Sequence, residues 1–146
     1  YCPVKLVFQS PELSVNTHWR ISQIISAGYL PEPAQLEALG INSGWLSRYP
    51  HELSGGELQR IAIARILNKI TQYLIADEMT AMLAANTQAL IWQAVLSFVE
   101  KQQIGLVVIS HDAPLLQRLC HRTLMLADDR ELQASPPDLS LFQPIR

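Results

Sequence analysis

The sequence predicts an α/β fold built on a parallel sheet, and three features carry that expectation. Residues Tyr73 to Ala76 form a short apolar run ending in the carboxylates Asp77 and Glu78. This is the pattern of a buried parallel strand whose C-terminal end faces a site. A second run of the same kind is Leu106 to Ile109. Between them, Leu90, Ile91, Ala94, Val95 and Phe98 recur at helical spacing within Asn86 to Gln103. The result is a strand–helix–strand crossover, a connection that is nearly always right-handed.

The other elements follow along the chain. Val4 to Phe8 reads as a strand, so the sequence opens inside a structural element and is expected to be a truncated domain. From Thr17 to Tyr29, Ile21, Ile24, Ile25 and Tyr29 predict a helix that Pro31 and Pro33 stop. Ala34 to Leu39 predicts a short helix closed by Gly40. Asn42 to Ser54 is rich in turn formers and reads as a loop. Ser54 and Glu57 then form an S-x-x-E capping box, in which each side chain satisfies a free backbone N–H at a helix start. Leu58, Ile61, Ala62 and Ile66 mark the buried face of that helix. Beyond His111, Asp112 and Pro114 suit the N-cap and first turn of a further helix. Thr123 to Leu126, the Asp128-Asp129 turn and Glu131 to Ala134 predict a hairpin, with an irregular tail from Ser135.

Composition narrows the function. With 49% hydrophobic and 16% charged residues, a chain of 146 residues predicts one domain with a packed core and no long disorder. The net charge is −2 and the basic residues are scattered, so nucleic acid is not an expected partner. Cys2 and Cys120 are too few and too far apart for a disulfide framework or a zinc site, and are expected to be inert thiols in a reducing compartment. No apolar run approaches the roughly 20 residues that cross a bilayer, so a membrane role has to come through a partner.

Four stretches carry chemistry. In Leu53-Ser54-Gly55-Gly56-Glu57-Leu58-Gln59-Arg60, two glycines at a helix N-terminus let backbone N–H groups approach an anion, the helix dipole favours negative charge, and Ser54 adds a hydroxyl donor. Alone, Ser-Gly-Gly-Glu is a capped helix after a flexible turn. Tyr73-Leu74-Ile75-Ala76-Asp77-Glu78 delivers two adjacent acids to a strand end, the first able to hold Mg²⁺ through water and the second able to polarise an attacking water. Alone, it is a solvated strand end. Leu106 to Ser110 leads to His111-Asp112, and a lone His there is usually structural. Phe8-Gln9-Ser10-Pro11-Glu12-Leu13-Ser14-Val15-Asn16 offers, by itself, only a loop amide at Gln9.

Together and in this order, the stretches resemble the signature, Walker B, switch-histidine and Q-loop motifs of ABC ATPases. The resemblance runs from about Val4 to Glu131 and is reinforced by Tyr49-Pro50-His51-Glu52 before the signature and Ile61-Ala62-Ile63-Ala64-Arg65 after it. Phe-Gln-x-Pro followed by Ser-x-Asn is most similar to the peptide and nickel importers, from which Ser10 and Thr17 depart. The resemblance implies a partial P-loop NTPase-like ABC ATPase domain over residues 1–146. Its helical subdomain and signature helix would occupy about 14–70, and a parallel-sheet core 71–134.

It also implies roles. Glu78 is the expected base, Gln9 and His111 complete the hydrolysis site, and Asp77 with Gln9 serves Mg²⁺. Ser54, Gly55, Gly56 and Glu57 would face ATP held by a second ABC subunit, identical or not. Permease subunits would be contacted through the Gln9 loop and the segment Ser14 to Ser47, placing the chain peripherally at the cytoplasmic face of the cell membrane. Three departures temper this. No G-x-x-x-x-G-K-S/T occurs, so these residues alone are expected to bind ATP poorly and the sheet to expose apolar surface. Met79 replaces the proline that usually follows the Walker B acids, and Ala84 stands where the D-loop aspartate is expected. The rival readings are a non-catalytic half-domain supplying only a signature face or regulatory contact, and a soluble ABC ATPase of translation or DNA repair.

Overall fold

Strand β1 (Val4–Val7) pairs in parallel with β2 (Tyr73–Asp77), and β2 with β3 (Gly105–Ile109), in the order β1-β2-β3. The computed structural model describes residues 2–27, 29–126 and 132–135. Parallel neighbours need long crossovers, and the sequence supplies them. Helices α1 (Ile21–Ser26), α2 (Pro33–Ala38) and α3 (Gly55–Ile66) lie between β1 and β2, and α4 (Ala85–Gln102) between β2 and β3. The described residues fall into two compact units divided between Ile109 and Ser110. All elements named so far belong to the first.

Residues paired across parallel strands share a face. One face carries Val7, Leu74 and Ala76, all buried; the other carries Val4, Leu6, Tyr73, Val107 and Ile109, all exposed. The strands are therefore covered on one side, where buried strands were expected, and the open side holds the apolar surface that the sequence predicts. Tyr73 lies so close over Gly105 that a Cβ there would meet its ring at 2.6 Å.

Helix α3 anchors the helical region. Its Leu58 and Ile61 form one core cluster with Ile21, Ile24 and Ile25 of α1, with Val15, Leu36, Ile41, Trp45, Leu46 and Leu53 packed around it. Ile63, Ala64 and Leu67 are also buried, whereas the expected Ile66 is only half-buried. The helix end is closed from outside: Gln35 Nε2 donates to Leu67 O at 2.7 Å and Thr71 Oγ1 to Ile66 O at 2.7 Å.

Helix α1 is shorter than the apolar spacing predicts. Asn16 takes over the preceding backbone: its Oδ1 accepts the His18 N–H at 3.0 Å and its carbonyl accepts the Trp19 N–H at 3.1 Å. Such local bonds compete with helix formation, and the helix begins only after Arg20, whose N–H donates to Gln23 Oε1 at 2.9 Å. The expected loop after Asn42 holds two short 3-10 turns, Ser43–Trp45 and Pro50–Glu52. Arginines tie these pieces together. Arg20 donates to Ser47 O and lies 4.8 Å over the Tyr49 ring, Arg60 donates to Gly40 O at 3.0 Å and lies 5.0 Å over Trp45, and Arg65 donates to Ser14 O.

The second unit holds α5 (Ala113–Leu119), capped by Asp112, whose carboxylate accepts the Leu115 N–H at 3.1 Å. It also holds the antiparallel pair β4 (Thr123–Leu126) and β5 (Leu132–Ser135), so the expected hairpin strands are present. The Asp128-Asp129 turn, Glu131 and the tail beyond Ser135 lie outside the described residues. Burial pushes the Cys120 thiol pKa upward, as suits an unreactive cysteine.

Two helix ends use left-handed residues. Gly40 (φ 62°) closes α2, with its N–H on Glu37 O at 2.8 Å and the Ile41 N–H on Leu36 O at 2.9 Å. Gln103 (φ 53°) closes α4 in the same way but carries a Cβ. Replacing Gly40 by Ala is expected to cost about 1–2 kcal/mol, and Gln103→Gly to recover about 1 kcal/mol. Urea unfolding of the two variants checks both signs.

Candidate functional site

The C-terminal ends of β1 and β2 are adjacent because Val7 pairs with Ala76. Phe8 and Gln9 therefore leave the sheet beside Asp77 and Glu78, and the structure brings these predicted residues to one edge. Gln9 is exposed, while Asp77 and Glu78 are half-buried. His111 is exposed and falls in the second unit, two positions beyond the end of β3.

Glu78 has a left-handed backbone (φ 47°). For a residue with a side chain this costs about 1–3 kcal/mol and persists only where the surroundings enforce it. Here they do. The Glu78 N–H donates to Ile109 O at 3.0 Å, its carbonyl accepts the Ala81 N–H at 3.1 Å, and the Thr80 carbonyl accepts the Leu83 N–H at 3.1 Å. Thr80, buried, accepts on its Oγ1 from Gln88 Nε2 and Trp92 Nε1, each at 3.0 Å. The turn after β2 is thus held from β3 and from α4 at once.

The signature stretch opens α3 as predicted. Ser54 Oγ accepts the Glu57 N–H at 3.4 Å, and Glu57 Oε2 accepts the Ser54 N–H at 2.7 Å. The Ser54 hydroxyl, expected as a donor to phosphate, is committed to Glu57 Oε2 at 2.8 Å. These bonds, the backbone one first, lower the Glu57 carboxyl below its ordinary 4.5, helped by Arg60 and Arg48 and opposed by slight desolvation. A Cβ on Gly55 would meet nothing within 4 Å, whereas one on Gly56 would meet Leu83 Cδ2 at 3.1 Å. Gly55 therefore presents open backbone, and Gly56 packs against the turn beyond Glu78.

No group of three or more His, Cys, Asp or Glu among the described residues could cage an ion. Mg²⁺ characteristically takes one or two carboxylates and fills its shell with water and substrate phosphates. Asp77, at the end of the strand next to the one that leads into Gln9, is a carboxylate of that kind.

Sequence reasoning missed the supporting residues. Gln59 is 2% exposed, and Thr80 and Trp92 are buried behind the turn. Gln59 lies one helical turn before the buried Ile63, so a polar residue on an apolar stripe was the available signal. Ala84 proves to be the N-cap of α4, with extended backbone and no side-chain cap.

Two predictions follow from this geometry. Because the Glu57 pKa is depressed in the folded state, its contribution is full above 4.5 and is lost as pH falls through the lower folded value. The Ser54 amide proton shift should titrate with a midpoint below 4.5, and the same titration should be flat in Glu57→Gln. Ala84→Asp should cap α4 and stabilise the fold by about 0.5–2 kcal/mol in thermal unfolding, whatever its effect on partners.

Comparisons with known proteins bear on the family and the fold. The family model described as ABC transporter matches residues 5–81, more than half of the chain. The ATP-binding protein YejF of Escherichia coli, an ABC transporter protein, is 33% identical over 91% of this chain and 28% of its own length. The probable peptide ABC transporter ATP-binding protein y4tS of Sinorhizobium fredii is 30% identical over 97% of this chain and 44% of its own. The oligopeptide transport ATP-binding protein OppF of Bacillus subtilis is 28% identical over 92% and 48%. The chain thus spans less than half the length of each of these relatives. Among solved structures, the ATP-binding cassette MJ0796, a dimer in a post-hydrolysis state bound to ADP and Pi, superposes with a TM-score of 0.73 at 22% identity, over 90% of this chain and 62% of that one. The fold is therefore that of an ABC ATPase domain in part, and the chain belongs to the ABC transporter family.

Proposed function

We propose that these residues are part of an ATP-hydrolysing subunit that powers solute import of the peptide or nickel type. The observation that carries the reading is Glu78 held at φ 47° immediately beyond Asp77, where the parallel strands end. Away from helix ends, strain of this kind clusters at active sites and switch regions. Relatives named for peptide transport support the substrate class.

In this reading Glu78 takes the proton of a water that attacks the γ-phosphorus, and the bond to the leaving ADP breaks. Gln9 orients that water, and His111 contacts the γ-phosphate. Asp77 would hold Mg²⁺ through water, and the ion, bound with the nucleotide, would neutralise charge on the β- and γ-phosphates. Ser54, Gly55, Gly56 and Glu57 face ATP on a second subunit, which requires the Ser54 hydroxyl to leave Glu57. Permease subunits dock through the Gln9 loop and the segment Ser14 to Ser47, along which Leu13, Trp19 and Leu30 are exposed at 78%, 43% and 70%. The protein then works at the cytoplasmic face of the membrane without entering it, and no described helix is long and apolar enough to cross one.

The test uses a whole ATPase containing these residues. Glu78→Gln should lower turnover by about 10²- to 10⁴-fold and accumulate an ATP-bound dimer. Gly55→Ala should leave thermal stability unchanged or slightly raised, since its Cβ meets nothing within 4 Å, yet abolish turnover by blocking the phosphate. Unchanged turnover in Glu78→Gln, with loss in Gly55→Ala, would favour the non-catalytic half-domain, to which Ala84 already points.

A further inference from the structure

The buried side chain of Gln59 touches both stretches that flank the candidate hydrolysis site. Its Nε2 donates to Phe8 O at 3.1 Å and to Met79 O at 2.9 Å. Phe8 immediately precedes Gln9, and Met79 immediately follows Glu78. One amide group on the signature helix therefore holds the peptide leading into the expected water-orienting residue and the carbonyl of the residue that follows the expected base. Its Oε1 is buried and accepts no hydrogen bond from the described residues. The amide is oriented by its donors alone, toward the two carbonyls.

The Met79 carbonyl matters because of what precedes it. The left-handed backbone of Glu78 is fixed on its N-terminal side by the N–H bond to Ile109 O at 3.0 Å. On its C-terminal side, the first bond from outside the turn is that from Gln59 to Met79 O. Without it, the turn keeps the Ala81 N–H bond to Glu78 O and the hold of α4 on Thr80 but loses its tie to α3, so the residue following Glu78 is no longer fixed to the signature helix.

We infer that Gln59 is a positioning residue: through Met79 O and Phe8 O it makes the aim of Glu78 and Gln9 depend on where the signature helix sits. The consequence is a physical link inside one subunit. A displacement of α3, whose N-terminus carries Ser54, Gly55 and Gly56, carries the Gln59 amide with it and shifts both flanks of the site together. The inference rests on the reading of Glu78 as the base.

The test compares Gln59→Met, Glu78→Gln and the double variant in a whole ATPase containing these residues. Methionine keeps the length of the side chain and removes both donors. If Gln59 acts by aiming Glu78, Gln59→Met lowers kcat by about 10- to 100-fold with the KM for ATP essentially unchanged. In the Glu78→Gln background it then adds almost nothing, because the aimed group is already disabled. Full kcat in Gln59→Met, or an undiminished loss on top of Glu78→Gln, overturns the inference. Normal turnover in Glu78→Gln overturns instead the assignment of the base. Amide hydrogen exchange covers the case of a damaged fold. Faster exchange confined to Glu78 and Ala81, with α4 unchanged, supports positioning, and a uniform rise over α3 and α4 assigns Gln59 to core packing and ends the proposal.

Discussion

Helix α3 has to satisfy two demands with one sequence, and the first unit depends on both being met. Its Leu58 and Ile61 fill the apolar cluster with α1, while Gln59 between them is buried against the ends of β1 and the turn after β2. On stability alone this glutamine gains little. Each hydrogen bond it donates is worth about 0.5–1.5 kcal/mol net, and a buried oxygen without a donor costs about 1–3 kcal/mol. For the glutamine itself gains and cost nearly cancel, but an apolar residue would leave the Phe8 and Met79 carbonyls without this donor. What such a residue could not do is fix two backbone carbonyls in space. The amide therefore serves orientation as well as cohesion.

The same logic governs the helical region. It is built from short helices and turns that bury few side chains of their own, and its loops leave many carbonyls in need of donors. Arginine fills that need: Arg20 reaches Ser47, Arg60 reaches Gly40 and Gly56, and Arg65 reaches Ser14. Hydrogen bonds from a charged donor are stronger than neutral ones. The stacking of Arg20 on Tyr49 and Arg60 on Trp45 adds the rings to the same joints. By contrast, the pair Lys69–Glu32 at 3.5 Å is exposed at both ends and contributes little. The scattered basic residues that argue against a nucleic-acid surface have, in these cases, a structural use.

How much of this the sequence discloses depends on distance along the chain. The capping box, the crossover helix and the paired strands are local patterns, and each occurs where the pattern lies. The shortened α1 is also local, but it turns on Asn16 winning the backbone that the apolar spacing of Thr17 to Tyr29 would assign to a helix. Gln59 was legible only as an anomaly, since its partners lie 51 and 20 positions away. Motif order likewise names Asp77 and Glu78, but the left-handed backbone of Glu78 is held in part by bonds to β3, α3 and α4, which no local pattern encodes. The sequence also separates Ser54 from phosphate less than the structure does: a capping box read as a phosphate cradle is, in the folded chain, a closed pair.

Two departures from the family pattern sit in one turn and have different physical weight. At position 79 the structure uses a buried side chain and, through Gln59, a carbonyl that proline also has. Methionine there preserves the bond that aims Glu78. At position 84 an alanine begins α4 with no side-chain acceptor, so the cap that an aspartate would give the first helix N–H groups is missing. Yet Thr80, four residues earlier, is locked by Gln88 and Trp92 from that same helix. The loss at Ala84 therefore loosens the helix start without releasing the turn that carries Glu78. In the proposed function, such a change would fall on contact with the second subunit, while Glu78 N–H on Ile109 O and Gln59 on Met79 O tie the turn to β3 and α3 without using the residue 84 side chain.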